Sequence, residues 1–228
     1  MPQPQPPPLA MLDALAQALA PSGLILRGGF RPDAAAGAPP GFGTLVLIGN
    51  AGPALWRAFR QDRAEGPDPL NRWIERVVRP LAGRFGARAL YPFDGPPYWP
   101  FQRWALAAEP VRTSPLGLLI HPRYGLWHAY RAALAFAAAD IALPARGAAP
   151  DLCGACADQP CLKACPVGAF GGEGYDVPAC LGHLRSPAGA DCLSTGCRAR
   201  RACPVGREYA YGPAQARFHM GAFERNQP

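Results

Sequence analysis

Lysine is almost absent from this chain: Lys163 is the only one, and the other 22 of its 23 basic residues are arginine. So one-sided a choice reflects a GC-rich genome as much as a function. Charge is scarce too, at 17% of residues, with a net charge of +7. No apolar run reaches the length of a membrane span, and Asp140 interrupts the best one, residues 132–143. Residues 1–8 lack a basic region, and no small-residue cleavage site follows an apolar stretch, so no secretory signal is expected. The expected compartment is therefore the reducing cytoplasm. Cysteine is missing before residue 153 and after residue 203, yet eight fall between. Clustered cysteines in a reducing compartment point to metal rather than to disulfides.

Proline and glycine are what the chain has in excess, 29 and 26 of 228 residues. That share borders the low-complexity range. A hydrophobic fraction of 49% and 10% aromatics still supply a core, so the chain reads as loop-rich and folded. Residues 1–8 form a proline-rich tail, expected to be disordered. Residues 9–148 read as an α+β domain for a cofactor or substrate. Apolar spacing predicts helices at 9–19, 53–61, 69–80, 101–108 and 126–141, and strands at 23–27, 44–49, 87–91 and 116–121. Asp68 suits a helix N-cap before Pro69; Leu70, Trp73, Ile74 and Val77 make the buried stripe, and Pro80 should end or kink the helix. Residues 149–206 hold the cysteine module. Residues 207–228 are a tail expected to pack on the main domain.

Cys153, Cys156, Cys161 and Cys165 are separated by two, four and three residues, and Pro166 follows. Cys192, Cys197 and Cys203 are separated by four and five, and Pro204 follows; Cys180 stands between the two runs. Cys-Pro-Val-Gly occurs at both 165–168 and 203–206, an internal repeat of two half-modules. A 4Fe–4S cube needs four thiolates around one body, three from a tight loop and one from a distant segment. In two-cluster ferredoxins, which this module resembles over about a quarter of the chain, the cysteine before proline reaches across to the other cluster. The pattern puts Cys153, Cys156, Cys161 and Cys203 on one cluster. Cys165, Cys180, Cys192 and Cys197 go to the other. Two four-thiolate zinc sites are the alternative, but zinc ribbons pair CxxC knuckles and only one CxxC is present. Gaps of four and five residues exceed the two of bacterial ferredoxins, so the extra residues should loop out and change cluster solvation.

Residues 118–127, with His121, Pro122, Arg123, Tyr124, Gly125 and Trp127, resemble a segment shared by epoxyqueuosine reductases and the cobalamin-processing (decyanating) chaperones. In the reductases a two-cluster module follows, with the same order of cysteines. The resemblance covers residues 90–206. It implies a nitroreductase-like α/β sandwich followed by a dicluster ferredoxin module, and a corrinoid (cobalamin) pocket beside two 4Fe–4S clusters. It gives Asp94 the part of general acid. It places Arg123 at the upper face of the corrin, where it helps bind a thiol cosubstrate, with His121, Tyr124, Trp127 and Tyr98 at the same pocket. Each residue has a plainer reading. Asp94 precedes Gly95 and suits a turn that caps its own backbone. Arg123 suits a surface position, His121 a structural hydrogen bond, and the aromatics ordinary packing. Residues 109–116 replace a glycine-rich stretch of the family. The reductases' C-terminal helical-repeat domain for tRNA has no counterpart here, so no tRNA is expected.

Together these features describe an iron–sulfur oxidoreductase that passes electrons through two clusters to a bound corrinoid. A flavodoxin or a ferredoxin reductase would supply the electrons, and no membrane is involved. One alternative is a ferredoxin-type carrier without a corrinoid. The other is an iron–sulfur redox sensor whose Arg198, Arg200, Arg201 and Arg207 contact nucleic acid; the first reading treats these arginines as a solvated loop or a docking patch.

Overall fold

The computed structural model describes residues 8–63, 66–171 and 174–227. The proline-rich residues 1–7 lie outside them. In chain order the elements are α1 (Pro8–Leu19), β1 (Ile25–Phe30), β2 (Thr44–Ala51), α2 (Ala54–Gln61), α3 (Pro69–Arg84), β3 (Arg88–Leu90), α4 (Phe101–Ala108), β4 (Arg112–Thr113), β5 (Leu119–Ile120), β6 (His128–Phe136), α5 (Pro160–Lys163), β7 (Phe170–Gly171), β8 (Gly174–Tyr175), α6 (Val177–Leu184), α7 (Ala190–Thr195), α8 (Arg198–Ala202) and α9 (Pro213–Arg225). Helix and strand are mixed, as the α+β reading expects. The chain forms two compact units: residues 1–110 with 129–148, and residues 111–128 with 149–228.

The first unit is built on a four-stranded sheet in the order β1-β2-β6-β3. β1 runs antiparallel to β2, and β3 antiparallel to β6. The central strands carry apolar side chains on both faces: Leu45 to Ile48 and Ala132 to Phe136 are all buried. Such strands show no polar alternation, because neither face meets water. This corrects the helix expected over 126–141, which is strand β6 in its first part. Its many alanines favour helix, but a slot between β2 and β3 overrides that weak preference. β5 is also shorter than the strand expected at 116–121, since Gly117 closes a turn onto the Ser114 carbonyl at 2.9 Å.

α3 departs from its expected form in three ways. Asp68 sits in the left-handed region at φ 47° and makes no side-chain cap. The buried stripe is Leu70, Trp73, Ile74, Val78 and Ala82, so Val78 replaces Val77. The helix continues through Pro80 to Arg84; Pro80 is exposed, so its ring and the backbone carbonyl it leaves unpaired face water. In α4, Trp104 is fully buried and its indole N–H donates to the Ala36 carbonyl at 2.9 Å.

The first unit also buries a charge. Arg27 on β1 is fully buried and grips Glu109 with two parallel bonds, Nε to Oε1 at 2.8 Å and Nη2 to Oε2 at 2.7 Å. Its Nη1 donates to the Asn50 carbonyl at 3.3 Å. The Tyr130 hydroxyl donates to Glu109 Oε2 at 2.7 Å, and its ring lies 4.8 Å from the guanidinium. Burial, and then Glu109, push the Tyr130 phenol far above its ordinary range despite the opposing pull of Arg27.

The second unit has little regular structure. β4 and β5 form one short antiparallel pair, and β7 and β8 another. Its core gathers Leu116, Ile120, Leu126, Ala199 and Cys203, with eight other cysteine-module side chains against it, among them Cys153, Cys161, Cys165 and Cys197. α5 packs on α8 and α7 on α9. The C-terminal residues expected against the main domain thus form α9, lodged on α7. Among the described residues no helix is long and apolar enough to cross a membrane.

Candidate metal centre

Cys153, Cys156, Cys161 and Cys203 line one small, partly open cavity of about 30 Å³ in the second unit, with Ile120, Leu152, Pro204 and Val205 as apolar wall. Short elements place them. A turn carries Cys153 and Cys156, whose N–H donates to the Cys153 carbonyl at 3.2 Å. α5 carries Cys161, and Cys203 caps the C-terminal end of α8. Three of these thiols thus come from one tight segment and the fourth from a remote one. Burial pushes the Cys153 thiol up first, then the neighbouring Cys203 and Cys161. Cys161 is raised by burial and by Cys203, while the Leu162 N–H lowers it.

The other four cysteines answer to one another in the same way. Cys180 is raised by burial and by Cys165 and Cys192, against the lowering bond from the Tyr175 hydroxyl. Cys197 is raised by burial and by Cys192 and Cys180, while the N–H groups of Arg200 and Ala199 lower it. The Ala169 N–H donates to Cys165 Sγ at 3.3 Å. Among the described residues no His, Cys, Asp or Glu side chains converge in threes on a point that holds a single metal ion. Backbone N–H groups turn toward sulfur at Cys161, Cys165 and Cys197.

Two observations fit a larger inorganic body. The first is the cavity between four thiols and apolar walls. The second is Gln215 of α9, fully buried, with neither side-chain Nε2 nor Oε1 bonded among the described residues. Its neighbour Ala216 lies against Gly196, which links α7 with Cys192 to Cys197. A buried amide left unbonded costs about 1–3 kcal/mol, so a polar partner belongs beside it. A sulfide-bearing cluster would be such a partner.

The turn at 121–125 is closed on itself. His121 and Gly125 exchange backbone bonds at 2.9 and 2.8 Å, and His121 Nδ1 accepts the N–H groups of Arg123 and Tyr124 at 3.0 and 3.2 Å. The imidazole stacks on Tyr124 at 4.4 Å. Arg123 is exposed; its Nε donates to the Tyr209 hydroxyl at 2.7 Å. Trp127 is buried, with Tyr211 edge-on at 5.4 Å and the Arg200 guanidinium 4.7 Å from its ring. In the first unit, Tyr98 is 64% exposed. Asp94 Oδ2 accepts the Tyr91 N–H at 2.8 Å, the self-capped turn.

This turn meets the second Cys-Pro-Val-Gly end backbone to backbone. Gly125 has φ 55°, and a Cβ there would collide with the Val205 carbonyl; Gly206 has φ 68°, and a Cβ there would collide with Tyr124. Both glycines serve a left-handed turn and a close approach at once. Gly125→Ala is expected to cost about 2–4 kcal/mol, from left-handed strain of about 1 kcal/mol and overpacking of about 1–3 kcal/mol. A thermal melt with iron retention checks this; an unchanged melt contradicts the close approach.

The arginine run is not a solvated loop. Arg198 Nε donates to Asp191 Oδ2 at 2.6 Å, and Arg201 reaches the same oxygen and the Gly196 carbonyl. Thr195, Arg198 and Arg201 together hold the Asp191 carboxyl well below the usual carboxylate range. Arg200 lies between the Trp127 and Tyr211 rings, 4.7 Å from each, and donates to the Leu126 carbonyl. Alternating apolar spacing could not show this, because the partners lie on other segments.

No family model matches the sequence, and no curated protein does. Solved structures do match in fold. An epoxyqueuosine reductase bound to a tRNA-Tyr stem loop is 15% identical, with a TM-score of 0.52 over 90% of this chain and 67% of that one. A selenomethionine-labelled epoxyqueuosine reductase is 14% identical, with a TM-score of 0.54 over 91% of this chain and 68% of that one. The Streptococcus thermophilus epoxyqueuosine reductase is 14% identical, with a TM-score of 0.51 over 91% and 70%. The first of these corrects the expectation against tRNA: that expectation rested on where the sequence ends, whereas a protein that binds a tRNA stem loop shares its fold with nine-tenths of this chain. The likeness expected from residues 118–127 and the cysteine order holds in three dimensions, and the chain is similar in fold to the epoxyqueuosine reductases.

Proposed function

We propose that the protein is an iron–sulfur oxidoreductase whose two 4Fe–4S clusters are held by Cys153, Cys156, Cys161 and Cys203, and by Cys165, Cys180, Cys192 and Cys197. The cavity lined by the first four cysteines carries the reading. The shared fold with epoxyqueuosine reductases supports it. When bound, such clusters accept and pass single electrons at potentials set by hydrogen bonds and burial. The chain's own part is to supply eight thiolates, to turn N–H groups toward sulfur, and to wall the first site with Ile120, Leu152 and Val205. A flavodoxin-type donor would feed it.

A corrinoid acceptor rests on residues 118–127 and on the fold. The side chains assigned to it do not fit that use here: His121 is bound into its own turn, Arg123 to Tyr209, Trp127 is in the core, and Asp94 caps Tyr91. The stem loop bound by a protein of this fold makes an RNA stem loop carrying epoxyqueuosine the first substrate to offer.

One assay separates the arms. The chain is purified anaerobically, reconstituted with iron and sulfide, reduced, and mixed with hydroxocobalamin. Corrin bands that change and stay with the protein on desalting establish a corrinoid reductase. Clusters that reduce and reoxidise with the corrinoid lost on desalting establish an electron carrier. A chain that takes up no iron overturns the proposal.

A further inference from the structure

Gln215 is an amide at a position where an apolar side chain would pack as well. It stands in the first turn of α9, fully buried, and neither Nε2 nor Oε1 meets a hydrogen-bonding partner among the described residues. α9 packs on α7, which carries Cys192. The methyl of Ala216 lies 3.2 Å from where a Cβ on Gly196 would stand, and Gly196 precedes Cys197. Gln215 is thus one residue from the contact that joins α9 to the Cys192–Cys197 segment. α6 packs on α7 as well, and on it His183 stands one turn after Cys180. The Nε2 of His183 is also buried and unbonded among the described residues. Two helices against α7 therefore each carry a polar atom without a protein partner, close in the chain or in space to Cys180, Cys192 or Cys197. A water held in such a place needs two to four polar partners, and the Gly196 carbonyl already accepts the Arg201 Nε at 3.1 Å.

We infer that the Gln215 amide donates a hydrogen bond to the centre held by Cys165, Cys180, Cys192 and Cys197, and so sets its potential apart from that of the other centre. The inference rests on the cluster reading above. An N–H donated to cluster sulfur stabilises the more negative, reduced state and raises the potential. The effect is confined to one centre by the packing: Cys161 and Cys203 belong to α5 and the end of α8, which pack on each other, whereas α9 packs on α7.

Gln215→Met keeps the length of the side chain and removes its donor, and Gln215→Leu is a second apolar replacement. The full chain, reconstituted anaerobically, is titrated with dithionite and followed by electron paramagnetic resonance. Iron and sulfide should match the unsubstituted chain. One centre should titrate at a more negative potential and the other should stay in place. In a Cys165→Ser background, which keeps only the first centre, the remaining potential should not move. Two clusters with both potentials unchanged overturn the inference and leave the cluster reading standing, as do two potentials that move together or a shift that persists in the Cys165→Ser background. Iron lost from both centres with both replacements overturns it too, since Gln215 is then a packing residue. An unsubstituted chain without iron overturns the cluster reading itself.

Discussion

Cys203→Ser is expected to remove one cluster and leave the other, lowering iron from about eight to about four atoms per chain. Cys203 lies beside Cys197 in sequence, with α8 between them. The two thiols nonetheless belong to different sets: Cys203 shares a cavity with Cys153, Cys156 and Cys161, while Cys197 answers to Cys192 and Cys180. Cys165→Ser should therefore spare the cluster that Cys203→Ser destroys, and the reverse. The reduced spectra of the two variants should be distinct, and a chain with both changes should hold almost no iron. Two identical spectra from the single variants would contradict the partition. Because Cys203 is part of the apolar core, its variant should also melt earlier than the Cys165 variant.

Glu109→Ala is expected to destabilise the first unit by about 3–5 kcal/mol, the cost of leaving a buried charge unpaired. Arg27 has no access to water, and its two strongest bonds end on this carboxylate. A domain is stable by only about 5–15 kcal/mol, so the loss would be plain in a urea titration. Tyr130→Phe removes one bond to the same carboxylate and should cost less, about 1.5–3 kcal/mol. Replacing both charges, Arg27→Met with Glu109→Leu, should recover most of the loss, because neither charge is then stranded. A double variant as unstable as Glu109→Ala would show that packing, not charge, is at stake.

The grouping of Cys153, Cys156 and Cys161 was legible because they lie within one short run, and the pocket that joins them to remote Cys203 is what the structure adds. The turn at 121–125 was legible by its residue types, and its two-sided glycine contact was not, since Val205 lies far along the chain. The helices at 54–61 and 101–108 could be read from their apolar spacing. Strand β6 could not, because a strand buried on both faces has no alternation and its alanines favour helix. The Arg27–Glu109 pair left no signal, being 82 residues apart between two unremarkable polar positions.

The most direct measurement is metal and sulfide analysis of the full chain after anaerobic purification, with spectra of the reduced protein. Two clusters predict about eight iron and eight sulfide per chain, with the spectrum of two neighbouring 4Fe–4S centres. About two zinc atoms per chain, with no iron and no sulfide, would contradict the account at its root.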